Sequence, residues 1–310
     1  MQPLRSDEIY GTWGTVLLPI KDDDNIDYVK LETFLDQLIS SGINGIYSNG
    51  TAGEFYNQTE EEFEKISALL AEKCHNANLP FQIGCAHTSP LVTLERIKKI
   101  KTLAPGAIQV ILPDWYPPTM SEIISYLKVL EAAAYPIGLV LYNPPHAKKI
   151  LTPTDFYQIQ QAGISLAGCK VAGGDQHWYE EIRTLVPELS VFVPGHHLAT
   201  GIKSGAKGSY SNVACINPKA AQSWYEMMHI DMDSALELQS RIQVFISDQI
   251  LPLIIKEHYS SAAIDKFLAA ITNWAEVGTK IRWPYQSIDP ARTAKVAEAA
   301  RQTIPEFFEK

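Results

Sequence analysis

From the first residues to about Asn217, apolar strand-like runs alternate with longer stretches whose apolar positions recur at helical intervals. That rhythm implies a parallel sheet whose strands are joined by crossover helices. Eight strands are predicted: Thr12 to Leu18, Gly45 to Ser48, Phe81 to Gly84, Ala107 to Leu112, Ile137 to Tyr142, Ser165 to Lys170, Ser190 to Val193 and Gly208 to Ser211. Among the helices, Phe63, Ile66, Leu69 and Leu70 leave one face to pack on the sheet. Thr59 with Glu62 and Thr119 with Glu122 have capping-box spacing, while Ser89-Pro90 and Thr152-Pro153 set a cap residue before a first-turn proline. Eight strand-helix units suit a closed (β/α)8 barrel of the TIM type, with reactive groups at the C-terminal ends of the strands. An open doubly wound sheet is the competing architecture, but no Gly-x-Gly-x-x-Gly turn follows the first strand.

After about Asp231 the pattern becomes helical only, through Ser234 to Asp248, Pro252 to Glu257, Ala262 to Trp274 and Pro290 to Thr303. The expected division is a barrel over 1–231 and a C-terminal helical appendage over 232–310. Asp22-Asp23-Asp24 reads as a solvated loop without functional weight.

Composition narrows the partners. A chain of 310 residues with 46% hydrophobic content can bury a substantial core. A formal charge of -9 argues against nucleic acid or an anionic membrane, since both call for a basic face. Cys74, Cys85, Cys169 and Cys215 are widely spaced without a Cys-x-x-Cys pair, so they read as reduced, buried thiols. The first residues lack the apolar core of a signal peptide and no apolar run reaches membrane-spanning length, so a cytoplasmic location is expected. On that expectation the sequon at Asn57 is chance.

Three strand ends carry chemistry. The run Gly163 to Asp175 ends its strand in Lys170 and closes at once with glycines. Alone, such a lysine is usually a surface side chain lying past apolar neighbours. The turn Asn49-Gly-Thr-Ala-Gly-Glu-Phe55 has two glycines that let the backbone curl and expose amides, a cradle able to hold a carboxylate. In Leu141-Tyr-Asn-Pro-Pro145 the prolines freeze the chain just past Tyr142 and fix its phenol at the rim. Alone, Tyr142 is a rim aromatic and Thr51 a turn residue. Together they provide an amine, a phenol, a hydroxyl and a carboxylate cradle, the set that Schiff-base chemistry on a 2-keto acid requires.

Gly50-Thr-Ala-Gly-Glu54, Tyr142-Asn-Pro-Pro145, Gly168-Cys-Lys170 with Gly174-Asp175, and Gly205-Ala-Lys-Gly-Ser-Tyr-Ser211 follow in this order along the chain. In this the sequence resembles the dihydrodipicolinate synthase and N-acetylneuraminate lyase family over nearly its whole length. The resemblance implies a (β/α)8 barrel, a Schiff-base lysine at Lys170, a proton-shuttling tyrosine at Tyr142, a hydroxyl residue at Thr51, and a homo-oligomer, dimer or tetramer. The amides of Thr51 and Ala52 are candidates for the substrate carboxylate, with backbone around Ser209 and Tyr210 closing the other side. An apolar barrel interior is expected to lower the Lys170 pKa toward working pH. The imine then serves as electron sink, so neither cofactor nor metal is expected.

Departures from the family pattern bear on the substrate. Ala52 stands where many relatives have a second hydroxyl residue, and Trp115 where synthases tend to carry a tyrosine donated across a subunit interface, with Tyr116 one position away. The synthases' arginine after the tyrosine motif is replaced by His146-Ala147, and Lys148 or Lys149 could supply only its charge. These differences favour an aldolase or dehydratase acting on pyruvate or a hydroxylated 2-keto acid over condensation of pyruvate with aspartate semialdehyde. A non-catalytic keto-acid binding protein is the alternative from another class. Two other readings fare worse. His196-His197, His177, Cys85 and His87 supply metal-ligand types without metal-site spacing, although His196 and His197 could reach substrate hydroxyls. Gly201-Ile-Lys-Ser204 lacks the Gly-Lys pair of a nucleotide loop.

Overall fold

The computed structural model describes residues 1–309. Its barrel half runs β1 (Gly11–Thr15), α1 (Tyr28–Ser40), β2 (Gly45–Ser48), α2 (Glu60–Ala77), β3 (Phe81–Gly84), α3 (Pro90–Ile100), β4 (Ala107–Ile111) and α4 (Met120–Ala134). It continues through β5 (Gly138–Tyr142), α5 (Pro153–Gln161), β6 (Leu166–Lys170), α6 (Gln176–Leu185), β7 (Ser190–Val193), α7 (Leu198–Ser204), β8 (Gly208–Tyr210) and α8 (Val213–Ile216). The remaining helices are α9 (Pro218–Ile230), α10 (Met232–Phe245), α11 (Leu251–Ile255), α12 (Ser261–Thr272) and α13 (Thr293–Thr303). The eight strands pair in sequence order, all parallel, and β8 closes on β1. The expected barrel is therefore the observed one. Five of the predicted strands extend beyond the paired segments, most of all at Val16 to Leu18, where the chain leaves the sheet after Thr15.

The pleat separates two apolar cores. Trp13, Tyr47, Val140, Phe192 and Tyr210 fill the barrel interior with Ile9, Ala107 and Ala167. The opposite faces of the same strands, such as Ile46, Ile83, Ile108 and Leu139, join the helices in a second, larger cluster. The interior is thus packed with side chains and closed to through-passage, which forces any ligand to the mouth.

Helix starts follow local rules where a partner is available. Thr59 accepts the Glu62 amide at 3.2 Å while Glu62 accepts the Thr59 amide at 2.9 Å, and Thr119 with Glu122 repeats the exchange. Thr152 forms the same box with Asp155, a partner that lies outside the Glu/Gln signature. Ser89 departs from expectation: its side chain caps nothing, and its own amide donates to His87 Nδ1 at 2.9 Å.

The C-terminal helices close down on the mouth. α12 packs against α8, Thr272 donates to the Ile216 carbonyl, and Trp274 Nε1 donates to the Cys215 carbonyl at 2.8 Å. The following segment grips the first two loops of the barrel. Lys280 donates to the carbonyls of Lys21 and Asp22 and pairs with Asp24 at 2.9 Å, while Arg282 Nε donates to the Asp24 carbonyl at 2.8 Å. The Asp22–Asp24 loop is thus an anchor for the tail as well as a solvated turn.

Candidate active site

Lys170 is the last residue of β6, and its register partner on β5 is Tyr142. Equal height on adjacent parallel strands sends both side chains to the same face, so the amine and the phenol meet at the rim. The Lys170 Nζ lies 4.3 Å from the centroid of the Tyr142 ring. Two further rings surround it, Tyr47 at 5.5 Å and Tyr210 at 5.6 Å. The amine stands on a floor of aromatic rings and faces the barrel mouth.

Tyr47 was not anticipated. It sits on β2, buried, with its ring 4.8 Å from that of Tyr210. Its position just before the Asn49–Phe55 turn was the available signal, but a tyrosine inside a strand reads as ordinary core. Tyr210 is committed elsewhere, since its hydroxyl donates to Gln82 Oε1 at 2.7 Å inside the barrel. Its side chain therefore forms floor, and Ser209 is wholly buried beside it.

The turn after β2 is built around its glycines. A Cβ on Gly50 would stand 2.7 Å from the Tyr47 ring, and one on Gly53 would stand 2.9 Å from the Val16 carbonyl. Asn49 and Glu54 bracket the turn with left-handed backbone, φ 54° at each. Within it, Glu54 N–H donates to the Thr51 carbonyl at 3.1 Å and Phe55 N–H to the Gly50 carbonyl at 3.3 Å. The Thr51 and Ala52 amides have no acceptor among the described residues. Thr51 Oγ1 makes no hydrogen bond to Tyr142 within the chain.

A buried ion pair ties this turn to the C-terminal helices. Lys266 Nζ on α12 lies 3.1 Å from Glu54 Oε1, with both side chains essentially inaccessible. Arg282 N–H donates to Glu54 Oε2 at 3.1 Å, and the Arg282 guanidinium clasps Glu62. Burial pulls the Lys266 pKa downward against the opposing pull of Glu54.

The charge on Lys170 departs from the expectation drawn from an apolar interior. Burial does press the ammonium downward, but Tyr47, Tyr142 and Asp265 oppose it, and the balance is upward. Tyr47 ionises only at about 12 because it is buried. Burial raises the Asp265 carboxyl as well, to about 7, and Asp265 is a residue the sequence reading passed over.

Other candidates lie outside this cluster. Trp115 and Tyr116 are more than four-fifths exposed. Lys148 donates to the Trp115 carbonyl at 2.8 Å, and Lys149 pairs with Asp155 at 3.3 Å, so neither offers its charge to the mouth. His196 contacts Asn212 and stacks on His197 at 4.2 Å, while burial lowers its pKa to about 4 and keeps it neutral. A surface cavity of about 550 Å³ opens between α6 and α7, with Gly173, Arg183, His197 and Lys203 on its walls, but Lys170 is not among its lining residues.

Fold and cluster together define a (β/α)8-barrel protein with an amine and a phenol at the C-terminal rim. The chain belongs to the dihydrodipicolinate synthetase family, whose sequence model matches residues 8–303. It is 24% identical to 4-hydroxy-tetrahydrodipicolinate synthase of Coxiella burnetii, covering 94% of this chain and 97% of that one. It is 22% identical to N-acetylneuraminate lyase of Escherichia coli, covering 96% and 97%. Among solved structures, a sialic acid aldolase of Ruminococcus gnavus, a catalytic lysine mutant, superposes with TM-score 0.83 at 19% identity over 99% of this chain and 98% of that one. A prophage protein of the same family from E. coli K12, solved in complex with pyruvate, superposes with TM-score 0.82 at 18% identity, covering 95% and 98%.

Proposed function

We propose that the protein is a Schiff-base-forming lyase acting on pyruvate or a hydroxylated 2-keto acid, by carbon-carbon cleavage or loss of water. The observation that carries this reading is the Lys170 amine 4.3 Å from the Tyr142 ring at the barrel mouth. The unspent amides of Thr51 and Ala52 support it as a seat for the substrate carboxylate. In its neutral form Lys170 attacks the keto carbon, and the C–N bond forms as the carbonyl oxygen gains a proton. Loss of water from the carbinolamine leaves a protonated imine. That imine draws the electron pair of the adjacent broken bond into an enamine, and reprotonation followed by hydrolysis returns the amine. Tyr142 carries the protons in these steps. Thr51 supplies a hydroxyl beside the carboxylate seat, and the backbone at Ser209 and Tyr210 bounds the pocket opposite.

Condensation of pyruvate with aspartate semialdehyde has less support. That reading needs a cationic clamp for a second carboxylate, and Lys148 and Lys149 are engaged elsewhere. A cytoplasmic homo-oligomer is part of the same reading, and the adjacent exposed rings of Trp115 and Tyr116 support a subunit contact.

Incubation with pyruvate and borohydride, followed by peptide mass spectrometry, tests the proposal: a reduced adduct on Lys170 is expected. Its absence at saturating pyruvate would sink the reading. Screening 2-keto-3-deoxy sugar acids for pyruvate release then identifies the substrate, and preference for aspartate semialdehyde over all of them would restore the synthase. Tyr142→Phe is expected to lower turnover by about 10²–10⁴ while pyruvate still forms the adduct. Unchanged turnover in that variant would remove Tyr142 from proton transfer.

A further inference from the structure

The cavity between α6 and α7 lies outside the Lys170 cluster, and its walls carry cations, a phenol and amides that bind nothing within the chain. Every other arginine holds a carboxylate oxygen within 3.6 Å, whereas Arg183 enters no ion pair or hydrogen bond among the described residues. Glu180, one turn earlier on the same helix, accepts the Gln176 side-chain amide at 2.8 Å instead. Lys203, on the α7 wall, is likewise without a carboxylate among the described residues. Neither cation is needed to close α7, because the Gly205 amide already serves the Gly201 and Ile202 carbonyls. A second observation is independent of charge. Tyr179 is 8% exposed and lines the cavity, and its hydroxyl has no hydrogen-bond partner among the described residues. A glycine lets that hydroxyl reach the wall: a Cβ on Gly173, whose φ is 84°, would stand 2.7 Å from it. The amides of Ala172, Gly173 and Gly174, which complete the wall ahead of α6, donate to no acceptor among the described residues. Buried polar groups are ordinarily paired, and a run of unspent amides before a helix is a seat for an anion.

We propose that this cavity is a binding site for a small phosphate ester, separate from the Lys170 pocket and independent of the Schiff-base reading. Donor number selects the class. Three amides, a phenol, a guanidinium and an ammonium exceed what the two oxygens of a carboxylate can accept. A phosphate monoester presents three terminal oxygens and a charge of about -1.5 to -2 near neutral pH. Arg183 supplies a two-pronged contact, Lys203 a point charge from the opposite wall, and Tyr179 a directed donor. Glu180 is the one carboxylate on the walls, so the two cations leave a positive cavity on a chain whose formal charge is -9. A volume of about 550 Å³ leaves room for the organic part of the ester, since pockets of this size hold small molecules. The run of amides begins at Ala172, just past the end of β6 at Lys170, which places the site on the loop that leaves the reactive strand.

Isothermal titration calorimetry of the full-length protein, at low ionic strength in phosphate-free buffer, tests the site with glycerol 3-phosphate as probe and glycerate as its carboxylate counterpart. Saturable binding of one phosphate ester per chain is expected, tighter than that of glycerate. Arg183→Gln and Lys203→Gln should each weaken it about tenfold or more, and Tyr179→Phe about fivefold. Glu180→Gln should tighten it, because an opposing charge is removed. Arg183, Lys203 and Glu180 are exposed, so those variants keep the fold, and phenylalanine keeps the Tyr179 ring in place. Saturating pyruvate should leave the ester's affinity unchanged, because Lys170 does not line the cavity. The proposal is overturned if the ester does not saturate, if glycerate binds equally well, or if pyruvate displaces the ester. It is also overturned if Arg183→Gln and Tyr179→Phe both bind the ester as the wild type does, since the phosphate would then sit elsewhere on the chain. Each of these outcomes is read without turnover, so failure here leaves the Schiff-base reading standing.

Discussion

Lys170→Ala is expected to abolish the pyruvate adduct and to lower turnover by a factor on the order of 10⁴ or more, with little change in fold. The size follows from the chemistry: without the amine there is no imine, and a carbanion next to an unactivated ketone has no electron sink. The fold should tolerate the change because the Lys170 amine enters no salt bridge among the described residues, its carbonyl still accepts the Asn143 amide, and its neighbours Tyr47, Tyr142 and Tyr210 remain to fill the floor. Circular dichroism and thermal melting check the second half of the prediction; trapping and pyruvate release check the first. Turnover within tenfold of wild type would mean that the reacting group lies elsewhere. Lys170→Arg distinguishes charge from nucleophilicity, since a guanidinium keeps the charge and stays protonated. It should be as inactive as the alanine variant.

The fold was legible in the sequence because it is written in local patterns. Buried strands between amphipathic helices impose the parallel arrangement, and capping residues such as Thr59 and Thr119 mark the helix starts without reference to distant parts of the chain. The rim was legible for a similar reason: Lys170 and Tyr142 each end a strand beside chain-breaking glycines or prolines, and equal height in the barrel brings them together. What escaped was non-local. Tyr47 has the sequence surroundings of a core residue and becomes a site residue only because β2 stands across the barrel from β6. Asp265 lies 95 positions beyond Lys170 and depends on how α12 settles over the mouth. The expectation of a lowered Lys170 pKa is not met because desolvation can be inferred from an apolar run, whereas the groups that oppose it, Tyr47 and Tyr142 first and Asp265 after them, are brought in from other elements. Thr51 lies in the turn the sequence indicated, yet its hydroxyl is not bonded to the Tyr142 phenol in the free chain.

The same non-local docking makes Lys266→Met a severe change in stability. It leaves the Glu54 carboxylate buried beneath α12 with the Arg282 amide and without its cation. Removing one member of a buried pair costs about 3–5 kcal/mol, because the remaining charge is neither solvated nor neutralised. Glu54→Gln in the same chain should recover part of that loss, since a neutral amide needs no counter-ion and methionine fills the space of the lysine stem. Denaturant titration of the four proteins closes the cycle, and additive losses would show that the two residues do not act as a pair. The consequence reaches the site, because Glu54 ends the turn that presents the Thr51 and Ala52 amides. The single variant should therefore also weaken pyruvate binding under conditions where it remains folded. The double variant should regain stability more fully than it regains binding, because the carboxylate also orients the turn through its bond to the Arg282 amide, and glutamine can only partly reproduce that acceptor.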